Sequence, residues 1–89
     1  MIAYFDNSAT TKPCPEAIEA ATLALTEIWG NPSSLHSLGS DASARLRKSR
    51  KQISKLLGVQ DNQFFFTSSG TTANNTAIFG AYEKLKRQG

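Results

Sequence analysis

Apolar residues recur at helical spacing in three stretches of the chain and run without alternation in a fourth. From Pro15, the residues Ile18, Ala21, Leu25 and Ile28 lie three or four apart, with Trp29 beside them. This spacing predicts a helix that Gly30-Asn31-Pro32 ends. Proline is pre-set for a first helical turn, and Glu16 and Glu19 suit the positive end of the helix dipole. A second helix is predicted to start near Ser40 or Asp41, with Ala42, Leu46, Ile53 and Leu57 on one face and Gly58 as a left-handed stop. Val59 to Asn62 reads as a turn. A third helix follows Thr67-Ser68-Ser69-Gly70-Thr71-Thr72, with Ala77, Ile78, Ala81, Tyr82 and Leu85 on its apolar stripe and Lys84, Lys86 and Arg87 near its C-terminal end. Phe64-Phe65-Phe66 has the unbroken apolar character of a strand buried on both faces. Ile2-Ala3-Tyr4-Phe5 is a shorter strand candidate, broken by Asp6-Asn7-Ser8. The order helix, helix, strand, turn, helix is α/β in style. Three main helices and one or two short strands are expected.

Composition narrows the class. At 89 residues the chain is at most one small domain, and such a domain buries only about 60% of its unfolded surface. A content of 39% hydrophobic and 19% charged residues argues against disorder. No apolar run is long enough to span a membrane, and the N-terminus lacks the pattern of a signal peptide. A soluble, cytoplasmic protein without membrane contact is expected. The single cysteine, Cys14, excludes an internal disulfide, and no metal-ligand spacing is present.

The net charge of +3 hides an asymmetry. Residues 1–44 set Lys12 against five acids, whereas residues 45–89 set nine bases against Asp61 and Glu83. Such a split fits nucleic-acid or membrane contact, or a basic half that meets something acidic elsewhere. Arg45, Arg47, Lys48, Arg50, Lys51 and Lys55 on the second helix suit either a nucleic-acid-contacting helix or a solvated face. No phenylalanine or tyrosine interleaves them, so base stacking has no platform, and nucleic acid is the less favoured partner.

The junction between the Phe64–Phe66 run and the third helix is the main site candidate. A helix N-terminus offers unpaired N–H groups and partial positive charge, and Gly70 permits close backbone approach. The hydroxyls of Ser69, Thr71 and Thr72 can add donors, giving a phosphate cradle. The alternative is that Ser69 or Thr71 only caps the helix. Neither a Walker A loop nor a dinucleotide fingerprint is present. His36, Cys14 and Lys12 lack the partners that catalysis would need, and hydrogen bonding or packing is expected for His36.

Three segments, in order and in register, resemble one family. Tyr4-Phe5-Asp6-Asn7-Ser8-Ala9-Thr10-Thr11 resembles the opening of class V aminotransferases, specifically their NifS-like cysteine desulfurases. Gly30-Asn31-Pro32-Ser33-Ser34 is similar to that family's G-N-P-[SA]-S loop, and Phe66-Thr67-Ser68-Ser69-Gly70-Thr71-Thr72-Ala73-Asn74-Asn75 to its F-T-S-G-[GA]-T-E-S-[ND]-N segment. The resemblance implies an enzyme of fold type I that depends on pyridoxal 5′-phosphate (PLP), usually a homodimer. It implies transfer of sulfur from L-cysteine to an enzyme persulfide with release of alanine, for iron–sulfur clusters or thio-cofactors. A sulfur-acceptor protein is a further implied partner. Gly70 and Thr71 match positions that bind the PLP phosphate, Ser8, Ala9 and Thr10 a segment near the substrate, and Gly30–Gly39 a loop near the dimer interface.

The resemblance also implies boundaries and absences. Residues 1–14 correspond to an N-terminal arm or small-domain segment, and 15–89 to the start of the large PLP-binding domain. The Schiff-base lysine, the acid facing the pyridine nitrogen, the ring-stacking residue and the persulfide cysteine match positions outside these 89 residues. The chain alone is therefore expected to be inactive, with no catalytic residue of its own and an unpaired Phe64–Phe66 edge that favours self-association. Ser69 stands where the family usually has glycine, and Thr72 where it commonly has glutamate. Serine restricts the backbone, so the turn is expected to avoid positive φ at Ser69. A selenocysteine lyase, another class V aminotransferase, or a small basic nucleic-acid-binding module are the alternative readings.

Overall fold

The computed structural model describes residues 1–88. Its helices are α1 (Pro15–Thr26), α2 (Ser37–Leu57) and α3 (Gly70–Gln88), with a 3-10 turn at Asp61–Gln63. The chain forms two compact units, Met1–Ser49 and Arg50–Gly89. The three predicted helices are all present.

In the first unit, Pro15 opens α1 as expected, and Glu16 sits in its first turn. The helix stops at Thr26, earlier than Gly30-Asn31-Pro32 suggested. The hydroxyls of Thr22 and Thr26 bond back to the carbonyls of Ile18 and Thr22, each at 2.8 Å. Threonine bonded to the preceding turn weakens a helix. The N–H groups of Glu27 and Ile28 then converge on the carbonyl of Leu23, at 2.8 and 3.2 Å, and close the last turn. Gly30 is therefore not the helix stop. It lies against Leu38, whose carbonyl occupies the space a Cβ at residue 30 would need.

The α2 helix starts at Ser37, three residues before the earliest expected start. His36 precedes it and acts as its cap: Nδ1 accepts the N–H of Gly39 at 3.4 Å, and the His36 carbonyl accepts the N–H of Ser40 at 3.0 Å. Before it, the Asn31 side chain accepts the Ser33 N–H and the Asn31 carbonyl the Ser34 N–H, both at 2.9 Å. Residues 30–39 thus fold onto themselves.

The face of α2 that packs differs from the one expected. Ala42 is buried and Ile53 half-buried, but Leu57 is exposed and Ser54, at 1% exposure, is the most buried side chain. The Ser54 hydroxyl has no hydrogen-bond partner among the described residues. Gly58 ends the helix with φ +69°, as its sequence position predicts. The N–H of Gly58 reaches the carbonyl of Lys55 at 3.2 Å, and the N–H of Val59 that of Ser54 at 3.0 Å. This double bond pattern is a Schellman stop, and only glycine adopts its left-handed position without strain.

In the second unit, the expected strand at Phe64–Phe66 is not formed. Phe64 has extended backbone, φ −113° and ψ 129°, but no ladder partner. The Phe64 and Phe66 rings pack edge to face with centroids 4.9 Å apart, and Phe65 is 74% exposed. Ile2–Phe5 likewise forms no strand, and Ile2 and Phe5 are almost fully exposed. A strand needs a second strand to satisfy its backbone, and none is formed among the described residues. The apolar stripe of α3 is also uncovered, with Ile78, Tyr82 and Leu85 all exposed. No residue of α1 or α3 is buried. No helix among the described residues is long and apolar enough to cross a membrane.

Candidate functional site

The best-formed candidate is the turn that opens α3. Ser69 is its cap: the Oγ accepts the N–H of Thr72 at 3.1 Å, and the carbonyl accepts the N–H of Ala73 at 3.0 Å. The Thr67 hydroxyl donates to that same carbonyl at 2.9 Å and fixes the approach to the helix. Ser69 Oγ donates to Thr72 Oγ1 at 3.1 Å, and Ser68 Oγ lies 3.3 Å from the same atom. Among the described residues none other than glycine has positive φ, so Ser69 fits this turn without left-handed backbone. Ser69 is thus the capping residue, and Thr71 is not.

Those bonds determine what remains for a ligand. Of the first N–H groups of α3, those of Thr72 and Ala73 are taken, while those of Gly70 and Thr71 have no partner among the described residues. Ser68, Ser69, Thr72 and Thr76 all commit their hydroxyls within the turn and first helical turns, whereas Thr71 does not. A Cβ placed on Gly70 would meet nothing within 4 Å, and its φ is not positive. The fold therefore does not require glycine at residue 70. Two free N–H groups, one free hydroxyl, a helix dipole and open space converge there, which suits an anion.

The other predicted site residues lie in the first unit. Ser8 and Ala9 sit in a turn and Thr10 just after it, with the N–H groups of Ala9 and Thr10 both reaching the Asp6 carbonyl, at 3.1 and 3.3 Å. Tyr4 was missed as a positioning residue. Its hydroxyl lies 3.0 Å from the Asp6 carbonyl and 2.8 Å from that of Thr10, so it fastens both ends of the turn. The tyrosine two residues before Asp6 was the available signal, although a hydroxyl reaching six residues ahead follows no short-range rule. Cys14 precedes α1, exposed and without a side-chain cap bond. Lys12 lines an open hollow with Pro13, Pro15, Ile18 and Glu19. His36 makes the hydrogen bond expected of it.

The family model for class-V aminotransferases matches residues 3–89. The chain belongs to this family. It is 58% identical over 77 residues to a NifS/IcsS protein homolog of Lactobacillus delbrueckii subsp. bulgaricus, which covers 86% of this chain. It is 46% identical over 79 residues to the cysteine desulfurase NifS of Azotobacter vinelandii, covering 88%. It is also 40% identical over 84 residues to a selenocysteine lyase of Xenopus laevis, covering 94%. The chain spans about a fifth of the length of these curated relatives, 20% of each. No solved structure matches. The family implies PLP dependence, and the α3 turn fits the phosphate of that cofactor in charge, in free donors and in the room beside Gly70.

Proposed function

We propose that this chain is the N-terminal part of a PLP-dependent cysteine desulfurase and supplies the phosphate end of its cofactor site. The observation that carries this reading is the α3 turn, where the fold leaves Gly70, Thr71 and their N–H groups uncommitted. The Gly70 and Thr71 N–H groups and the Thr71 hydroxyl would hold the phosphate, while Ser69 and Thr67 keep the turn in shape. The bound cofactor would supply the electron sink for breaking the carbon–sulfur bond of L-cysteine. Sulfur would leave on a persulfide cysteine, and alanine would be released. That cysteine and the Schiff-base lysine would come from sequence outside these 89 residues, and the chain alone would be inactive.

In this reading, residues 1–14 form an arm or small-domain segment, with Ser8, Ala9 and Thr10 toward the substrate. Residues 15–89 begin the large domain of a fold-type I enzyme. Phe64–Phe66 would gain its strand partners there, and the working enzyme would be a cytoplasmic homodimer that passes sulfur to an acceptor protein. The similarity to a selenocysteine lyase over 94% of this chain supports a second reading with L-selenocysteine as substrate. Comparing sulfide and selenide release by the whole protein separates the two.

The test of the site is Thr71→Ala in the whole protein. PLP retention should weaken by about 1–3 kcal/mol, the worth of a hydrogen bond to a charged group, with the unfolding midpoint of the cofactor-free protein unchanged. Cofactor affinity equal to that of the parent protein would remove Thr71 from the site.

A further inference from the structure

Arg50 differs from the cations around it on α2. Arg47, Lys48, Lys51 and Lys55 are exposed, whereas Arg50 is half-buried. It stands one turn before the buried Ser54 and near the half-buried Ile53, on the side of the helix that packs. A charge placed there is costly unless something interacts with it. That something is an aromatic ring: the guanidinium carbon of Arg50 lies over Phe66, 5.4 Å from the ring centroid. Both residues belong to the second unit, Arg50–Gly89. The distance is that of a cation–π contact, and the flat guanidinium is well suited to stacking on a ring.

A hold on this ring reaches the turn that opens α3. Phe66 immediately precedes Thr67, whose hydroxyl donates to the Ser69 carbonyl at 2.9 Å, and Ser69 caps the helix. On the other side of the contact, Phe66 packs edge to face on Phe64. Phe64 closes the 3-10 turn, its N–H reaching the Asp61 carbonyl at 3.4 Å, and a capping box between Gln60 and Gln63 locks that turn. Contacts thus run from α2 to Ser69, and the step from residue 50 to residue 66 is made by Arg50. We propose that Arg50 is a positioning residue for the cofactor phosphate. By holding the Phe66 ring it fixes the approach of Thr67 to Ser69, and with it the direction of the Gly70 and Thr71 N–H groups. This inference rests on the reading of the α3 turn as the PLP phosphate site. Without the contact the turn would sample arrangements that do not bind phosphate, and apparent affinity falls with the fraction that stays competent.

The experiment uses the whole protein and measures PLP dissociation together with the phosphorus NMR signal of the bound cofactor. Arg50→Met keeps the apolar stem and removes the charge, and Phe66→Leu keeps an apolar side chain and removes the ring. Each should lower PLP affinity by about two- to fivefold, the worth of a cation–π contact at a partly exposed site. The double variant should lose no more than either single one, because both remove the same contact. The phosphorus signal should shift in both, which a merely stabilising contact would not cause. Tyrosine in place of leucine at residue 66 restores the ring face and should restore the affinity. Lys86→Met, which removes a cation–π contact with Tyr82 toward the far end of α3, should bind PLP like the parent. Should Arg50→Met fail to fold by circular dichroism, Arg50→Gln takes its place with the same loss expected. Unchanged PLP affinity and phosphorus signal in the Arg50 variant overturn the proposal, even where the cofactor-free protein unfolds more readily. Losses that add in the double variant, or an equal loss in Lys86→Met, also overturn it. Thr71→Ala tells the two levels apart. If it weakens PLP retention while the Arg50 variant does not, the role of Arg50 alone is refuted; if neither does, the PLP reading fails and the role of Arg50 with it.

Discussion

The chain uses glycine in two regions for opposite reasons. In the loop between α1 and α2, Gly30 and Gly39 are demanded by the fold. A Cβ on Gly39 would run into the Ser34 carbonyl and lie 2.7 Å from the Asn31 oxygen, and one on Gly30 would run into the Leu38 carbonyl. These neighbours are backbone and cannot swing aside. At the start of α3, a Cβ on Gly70 would meet no protein atom within 4 Å, and no left-handed φ calls for glycine. The first pair lets two stretches of one chain touch; Gly70 faces open space. Three glycines that read alike in sequence are thus separated by what surrounds them.

The largest effect should come from Gly39→Ala. Forcing a methyl group between the Ser34 and Asn31 carbonyls should cost about 3 kcal/mol, the upper end for overpacking, read from urea unfolding of the whole protein. Unchanged stability would show that the loop relaxes freely, and the contrast with Gly70 would collapse. Ser69→Ala comes next. Losing the cap on the Thr72 N–H should cost about 1 kcal/mol. Ser69→Asp should restore that stability by capping again, yet weaken PLP retention by setting a negative charge beside the phosphate. A restored cap with undiminished PLP affinity would place the phosphate away from this turn.

Much of this was legible from local pattern, because caps and stops are local. Pro15, Gly58 and the Ser69-Gly70-Thr71-Thr72 turn marked helix boundaries that the structure bears out. The start of α2 was misplaced because its cap is a histidine, outside the usual serine, threonine, aspartate and asparagine signals. Gly30 looked like a helix stop because glycine after an apolar run usually is one. Its approach to Leu38 is a contact across eight residues that no periodicity encodes. The expected strands are not formed in this stretch for a similar reason: apolar run length reports a preference for burial, but pairing requires a partner strand. At the site, the sequence left open whether Ser69 or Thr71 capped α3. Only the hydroxyl geometry separates the capping residue from the free one.

The most direct measurement is the paired determination of unfolding midpoint and PLP dissociation constant for Gly70→Ala in the whole protein. Unfolded without cofactor, Gly70→Ala should match the stability of the cofactor-free parent within about 0.5 kcal/mol, as for a substitution that meets no neighbour. Its PLP affinity should at the same time be lower by about tenfold or more, because the methyl group would fill the space left for the phosphate. A Gly70→Ala protein that keeps its PLP affinity, or that unfolds as readily as Gly39→Ala, would contradict it.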